Sequence, residues 1–105
     1  MAFRAVPSSV LLLLIAAGPL VLSGCGPVTY TVDAAGAERV VADARAENAS
    51  YYAPYELTFA EAYLAKAHEE AALGEYEDAI NALTVAKAYG LRALTRSAQP
   101  GSFDR

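Results

Sequence analysis

Residues 54–97 read PYELTFAEAYLAKAHEEAALGEYEDAINALTVAKAYGLRALTRS, and this stretch decides the fold. Its apolar residues return every three or four positions, which is the period of an α-helix with one buried face. Gly74 divides the stretch, because glycine readily takes the left-handed backbone conformation that ends a helix. The acidic residues after it suit the start of a second helix, where the helix dipole is positive. The pattern predicts a hairpin of two helices, over 54–73 and 76–97.

A third helix is predicted before the hairpin, over residues 34–50, with Asp33 as its N-terminal cap. Pro54 separates it from the hairpin because proline disfavours helical geometry at the residue before it. Residues 26–32 contain Gly and Pro and show no helical period, so they are predicted to form an extended tether. Residues 98–105 are predicted to be a flexible tail. The expected fold class is all-α, a three-helix bundle built on the helical hairpin.

The composition agrees with closely packed helices. The chain has 105 residues, 55 % of them hydrophobic, and alanine is the commonest apolar residue. Small residues along the seam, such as Ala60, Ala67 and Ala86, allow helix axes to approach closely. They also bury little area, and a domain of this size with such a core is marginally stable alone. Self-association or a protein partner is therefore expected.

Residues 1–24 have the anatomy of a signal peptide. A short start carries Arg4, an apolar run covers residues 10–17, and small residues follow. The run is too short to span a bilayer, which takes about 20 residues in a helix. We expect it to be a targeting segment rather than a permanent anchor.

The residues Leu22, Ser23, Gly24 and Cys25 resemble the lipobox of bacterial lipoproteins at all four positions. The resemblance implies cleavage before Cys25 and covalent diacylglyceryl and acyl groups on that residue. Two or three acyl chains hold a protein firmly at a membrane. Gly26, and not Asp, follows the cysteine, which by resemblance to enteric sorting implies the periplasmic face of the outer membrane in a cell with two membranes. The alternatives are a free thiol beside an ordinary cleavage site and an uncleaved apolar tail.

Two further resemblances concern the helical part. The turn at Gly74 and the helix after it, through Leu83 and Ala86, resemble the second half of a tetratricopeptide repeat, and only one such unit is present. Residues 33–97 resemble a family of small bacterial lipoproteins with an uncharacterised helical domain, whose relatives sometimes occur with OmpA-like peptidoglycan-binding modules. The residues that carry this second resemblance are Ala53, Pro54, Tyr55, Glu56, Leu57, Ala60, Tyr63, Leu64, Ala67, the stretch 75–79 and Ala86. It implies a helical domain in the cell envelope, after a lipidated cysteine and tether at 25–32, and it supplies no catalytic residues.

The sequence predicts neither an enzyme nor a metal site. His68 is the only histidine and has no acidic residue three or four positions away on its own helix, whereas metal sites converge several ligands. We expect His68 to lie at the surface or at the edge of the helix seam. No serine lies in a recognisable nucleophile motif, and no cofactor or small-molecule substrate is predicted. Without Arg4, seven basic and twelve acidic residues give a charge of −5, which disfavours nucleic-acid binding.

Three tyrosines, Tyr51, Tyr52 and Tyr55, flank Pro54 and are candidate partner contacts. We first expect them to close the open end of the bundle with their rings inward and hydroxyls outward. The alternatives, in order, are a protein-contact patch and contact with lipid headgroups, since amphipathic aromatic side chains suit both. The expected function is that of a membrane-anchored lipoprotein whose small acidic helical domain has a structural or protein-interaction role in the envelope. The alternative is a tetratricopeptide-like adaptor that binds a partner peptide.

Overall fold

The computed structural model describes residues 25–99, and this part of the chain is all-α, with no β-strand. The helices are α1 (Cys25–Ala46), the short α2 (Ala49–Tyr52), α3 (Pro54–Ala72) and α4 (Tyr76–Ala98). α4 packs against both α1 and α3, which contact each other much less. The predicted helical bundle and its hairpin are confirmed at this level, and α2 is an additional element.

Several sequence predictions lie outside the described residues. They are the signal peptide at 1–24, which includes Leu22, Ser23 and Gly24 of the lipobox, and the part of the tail after Gln99. None of the helices within 25–99 is long and apolar enough to cross a bilayer.

The α3–α4 hairpin forms where the sequence predicts it. Pro54 occupies the first turn of α3. A backbone N–H at this position has no partner within a helix, so proline loses no hydrogen bond by lacking it. Gly74 takes a left-handed conformation, with φ 79°, and ends α3. The backbone N–H of Glu75 donates to the carbonyl oxygen of Glu70 at 2.9 Å, so the last turn of α3 is closed before α4 starts at Tyr76.

The first helix begins earlier than the sequence predicts. Residues 26–32 form the first two turns of α1, so the extended tether is wrong, and Asp33 lies inside the helix instead of capping it. Pro27 is compatible with this because proline is tolerated in the first turn of a helix. The ring of Tyr30 packs against that of Tyr76 in α4, with 6.1 Å between centroids. This tertiary contact favours the helical state of a segment whose composition alone suggests a linker.

The first helix also ends earlier than predicted, at Ala46 rather than residue 50. Asn48 adopts a left-handed conformation, with φ 61° and ψ 37°, and separates α1 from α2. Asparagine is one of the few residues other than glycine that visits this region readily. The break redirects the chain so that Ala49 and Ala53 are buried over the end of the core.

The core is built mainly from alanine, and its largest fully buried side chains are Leu83 and Val41. Gly90 lies where α4 meets α1: a Cβ atom added to it would be 2.9 Å from Cγ1 of Val40. The two helices therefore approach more closely at this point than any side chain on α4 would allow. Small residues set the distance between the helix axes, as their positions along the predicted seam indicated.

Candidate functional site

The predicted lipidation site lies at one end of the bundle. Cys25 is the first residue of α1 and its side chain is exposed. The α3–α4 turn lies at the same end, since a Cβ atom on Gly26 would be 3.3 Å from Cβ of Tyr76. We call this the anchor end, defined by Cys25, Gly26 and the turn at residues 73–75.

The anchor end is strongly acidic. Exposed carboxylates surround the turn on both helices of the hairpin; they belong to Glu69, Glu75, Glu77 and Asp78. Acidic residues at the start of α4 lie near the positive end of its dipole, which favours them there. Within residues 25–99 no three His, Cys, Asp or Glu side chains are grouped so that they could hold a metal ion.

A hydrogen-bonded chain links α1 to α3 beside the anchor end. The hydroxyl of Tyr30 lies 2.7 Å from Nδ1 of His68, and Nε2 of His68 lies 3.2 Å from Oε1 of Glu38. Burial raises the pKa of Tyr30 above its usual 10, and the charge of Glu38 and the neighbouring Tyr76 raise it further. Because the carboxylate of Glu38 only accepts, Nε2 of His68 carries the hydrogen that it donates, and in the neutral imidazole Nδ1 then accepts the hydroxyl hydrogen of Tyr30.

This series of hydrogen bonds joins a carboxylate, an imidazole and a phenol in that order. The protonation of the phenol and the exposure of the other two groups favour a structural role. A raised pKa opposes formation of the phenolate of Tyr30, and His68 and Glu38 are about half exposed. The sequence predicts His68 at the surface or at the edge of the helix seam and indicates no acidic partner, because Glu38 is on another helix, 30 positions earlier. No pattern within α3 could have indicated it.

The three predicted contact tyrosines lie at the opposite end, where α2 joins α3. The side chains of Tyr51 and Tyr55 are 79 % and 62 % exposed, and Tyr52 is also exposed. The rings of Tyr51 and Tyr52 pack edge to face, 5.0 Å apart. Their rings lie outside the core, which the small residue Ala53 closes instead. We call this the distal end, defined by Tyr51, Tyr52 and Tyr55.

An aromatic row extends from the distal end along α3. Tyr55 packs on Phe59 at 5.1 Å, and Phe59 in turn stacks on Tyr63 at 5.8 Å. Tyr89 of α4 joins the row, 4.7 Å from Phe59, and the guanidinium of Arg92 lies 5.0 Å above the ring of Tyr89. The four-residue spacing on α3 was visible in the sequence. The contribution of α4 was not, because it depends on how the hairpin closes.

A partly buried ion pair joins α3 and α4 next to the distal end. Glu56 of α3 is only 9 % exposed and its Oε1 accepts a hydrogen bond from Nη1 of Arg96 on α4. A second pair, Arg45 with Glu61 at 2.8 Å, joins α1 to α3 at the surface. Both pairs hold helices together, and the buried one fixes the end of α4 next to the exposed tyrosines.

No protein-family model matches the chain, and comparison with curated proteins and with solved structures finds none similar to it. The resemblances to small lipoproteins and to the tetratricopeptide hairpin therefore stay predictions.

Proposed function

We propose that this protein is a lipid-anchored module of the bacterial cell envelope that is held at a membrane through Cys25 and presents its helical bundle to other proteins. One observation carries the proposal: Cys25 is the last residue of the stretch 22–25 that resembles a lipobox, and it is the exposed first residue of a helix. With no linker between Cys25 and α1, acyl chains on its sulfur would hold the bundle against the bilayer.

The interaction part of the proposal is supported by the distal end. α3 has 19 residues, about 28 Å of helix, and it separates the exposed tyrosines from the anchor end. Tyrosine is enriched in protein interfaces, where its ring is buried and its hydroxyl stays hydrogen-bonded. Exposed rings at the far end from Cys25 suit contact with a protein rather than with the lipid that holds the anchor.

Acylation is tested by feeding cells an alkyne-bearing fatty acid and fractionating them. The wild-type chain should carry the label and sediment with membranes, whereas Cys25→Ser should lose both properties. Because Cys25 is the only cysteine, a double variant with Cys25→Ser and Ser50→Cys is a matched control: it restores a thiol away from the lipobox and should stay unlabelled. A Cys25→Ser chain that sediments with membranes at normal size and amount would contradict the proposal.

The partner surface is tested by placing a photo-crosslinking amino acid at Tyr51. The same amino acid at Ala62, exposed in the middle of α3, is the control. Irradiation of intact cells should give a discrete product of higher mass from position 51 and none from position 62. Equal products from both positions, or none from position 51, would contradict a specific contact at the distal end.

A further inference from the structure

A groove of about 600 Å³ runs between α1 and α4, and no residue of α3 lines it. Its walls include one exposed aliphatic side chain from each helix, Val32 at 66 % and Leu91 at 45 % exposure. Gly36 and Ala88 keep the groove open because they project little. A groove with aliphatic side chains on two helices is a typical contact surface for further helices.

The threonines on this face of α4 are suited to burial. Thr84 donates its hydroxyl hydrogen to the carbonyl oxygen of Ile80 at 3.0 Å, and Thr95 does the same to Leu91 at 2.9 Å. Their hydroxyl donors are thus satisfied within the helix. An apolar partner could cover both threonines without leaving a buried donor unpaired.

The groove contains one acidic and one basic side chain, Asp33 on α1 and Lys87 on α4. Neither side chain forms an ion pair with any other residue of the described 25–99. A surface that complements this groove must therefore offer a base opposite Asp33 and an acid opposite Lys87. The groove itself carries that pair of charges.

We propose that the groove pairs with the same groove of a second copy of the chain, in a parallel two-fold dimer. α1 and α4 run in the same direction, since Gly26 lies beside Tyr76 and Val40 beside Gly90. A two-fold axis along the bundle then places α1 of each copy against α4 of the other. Asp33 and Lys87 differ in level by about one turn, or ~5.4 Å, which a lysine side chain spans.

The parallel arrangement also agrees with the anchor, a step that rests on the proposed function. Both copies of Cys25 lie at the same end of such a dimer, so all acyl chains would enter one bilayer. An antiparallel pair would point one anchor away from the membrane. The groove between α3 and α4 is more polar than the groove between α1 and α4, because Lys66, Glu70 and Asp78 line it.

Charge reversal tests the pairing in the full chain, extracted from membranes in detergent and sized by sedimentation. The wild type should have twice the mass of one chain. Asp33→Lys and Lys87→Asp should each weaken association at least tenfold, because each places like charges opposite one another at two sites. The double variant should regain the wild-type mass. Lys66→Asp makes the same charge change in the α3–α4 groove and should leave the dimer intact.

Disulfide formation in membranes tests the arrangement without relying on the charge variants. Copies with Val32→Cys and copies with Thr84→Cys, expressed together, should form a mixed disulfide because these positions share a level across the parallel interface. Thr95→Cys, about three turns further along α4, is the matched control and should not react with Val32→Cys. Reaction at position 95 in place of 84 would overturn the parallel arrangement.

The outcomes separate this dimer from the proposed anchor. A membrane-bound chain that is a monomer in detergent, a partner of different mass in place of the second copy, or single charge variants that associate like wild type would each overturn the dimer. A chain that dimerises through the groove but carries no acyl label would contradict the anchor and leave the groove pairing in place.

Discussion

Gly90 is the residue at which the packing of α4 on α1 leaves no room for a side chain. A methyl group there would lie 2.9 Å from Cγ1 of Val40. Overpacking costs about 1–3 kcal/mol, whereas replacing a helical glycine by alanine gains about 1 kcal/mol. We therefore expect Gly90→Ala to lower the free energy of unfolding, measured in urea, by roughly 1 kcal/mol on balance.

The controls for Gly90→Ala are available in the same protein. A Cβ atom on Gly36 would meet nothing closer than Nζ of Lys87 at 4.0 Å, so Gly36→Ala should raise the free energy of unfolding by about 1 kcal/mol. Adding Val40→Ala should make Gly90→Ala stabilising, because the obstructing methyl is gone. If Gly90→Ala were equally costly with and without Val40, close packing would not be the reason for the glycine.

Two arginine ion pairs differ in burial, and the same substitution should reveal the difference. Arg96→Met leaves the carboxylate of Glu56, 9 % exposed, without its charged partner. We expect a loss of about 3 kcal/mol in the free energy of unfolding, the low end for a buried pair, because the Arg96 side chain is 39 % exposed. Arg45→Met removes a surface pair, whose side chains are 56 % and 39 % exposed, and should cost less than about 1 kcal/mol. Equal losses in urea denaturation would show that burial of Glu56 does not matter.

At the scale of elements, the start of α1 depends on its contact with α3 and α4. Burial raises the pKa of Tyr30, with Glu38 and Tyr76 as further causes. The unfolded chain therefore releases this proton first, at pH about 10, while the folded chain still holds it. Because the folded state binds more protons in that window, stability must fall as pH rises above about 10.

Tyr30→Phe is the variant that tests this dependence. It removes the hydrogen bond to His68, worth about 1 kcal/mol at neutral pH, and it removes the proton whose release destabilises the fold. Its free energy of unfolding should decline less steeply above pH 10 than that of wild type. Tyr51→Phe changes an exposed hydroxyl and should keep the wild-type slope. An unchanged slope in Tyr30→Phe would contradict the role of Tyr30.

Local signals explain which elements could be predicted from the sequence. Pro54 and Gly74 act through their own backbone, so the bounds of α3 and α4 were predicted to within a residue. The start of α1 depends on the contact between the rings of Tyr30 and Tyr76, and the pair of His68 with Glu38 joins residues far apart in sequence. Such contacts are decided by tertiary packing, which periodicity along one helix does not contain. Asn48 is intermediate, since its left-handed backbone is permitted by its residue type but not required.

At the scale of the whole molecule, the proposed anchor sets the orientation of the bundle. Cys25 and Leu73 lie at the anchor end, and Ser50 lies at the distal end, one length of α3 away. In the proposed lipoprotein the diacylglyceryl group is joined to the sulfur of Cys25 by a thioether, which consumes the thiol, so a fluorophore can be attached to one new cysteine. We expect lipids that carry a quencher to dim a fluorophore on Leu73→Cys strongly, because it lies at the bilayer surface. A fluorophore on Ser50→Cys, about 28 Å further out along α3, should keep its emission. Equal quenching at both positions would mean that the bundle lies flat on the membrane, which would bring the distal tyrosines to the lipid and remove the reason to assign them to a protein partner.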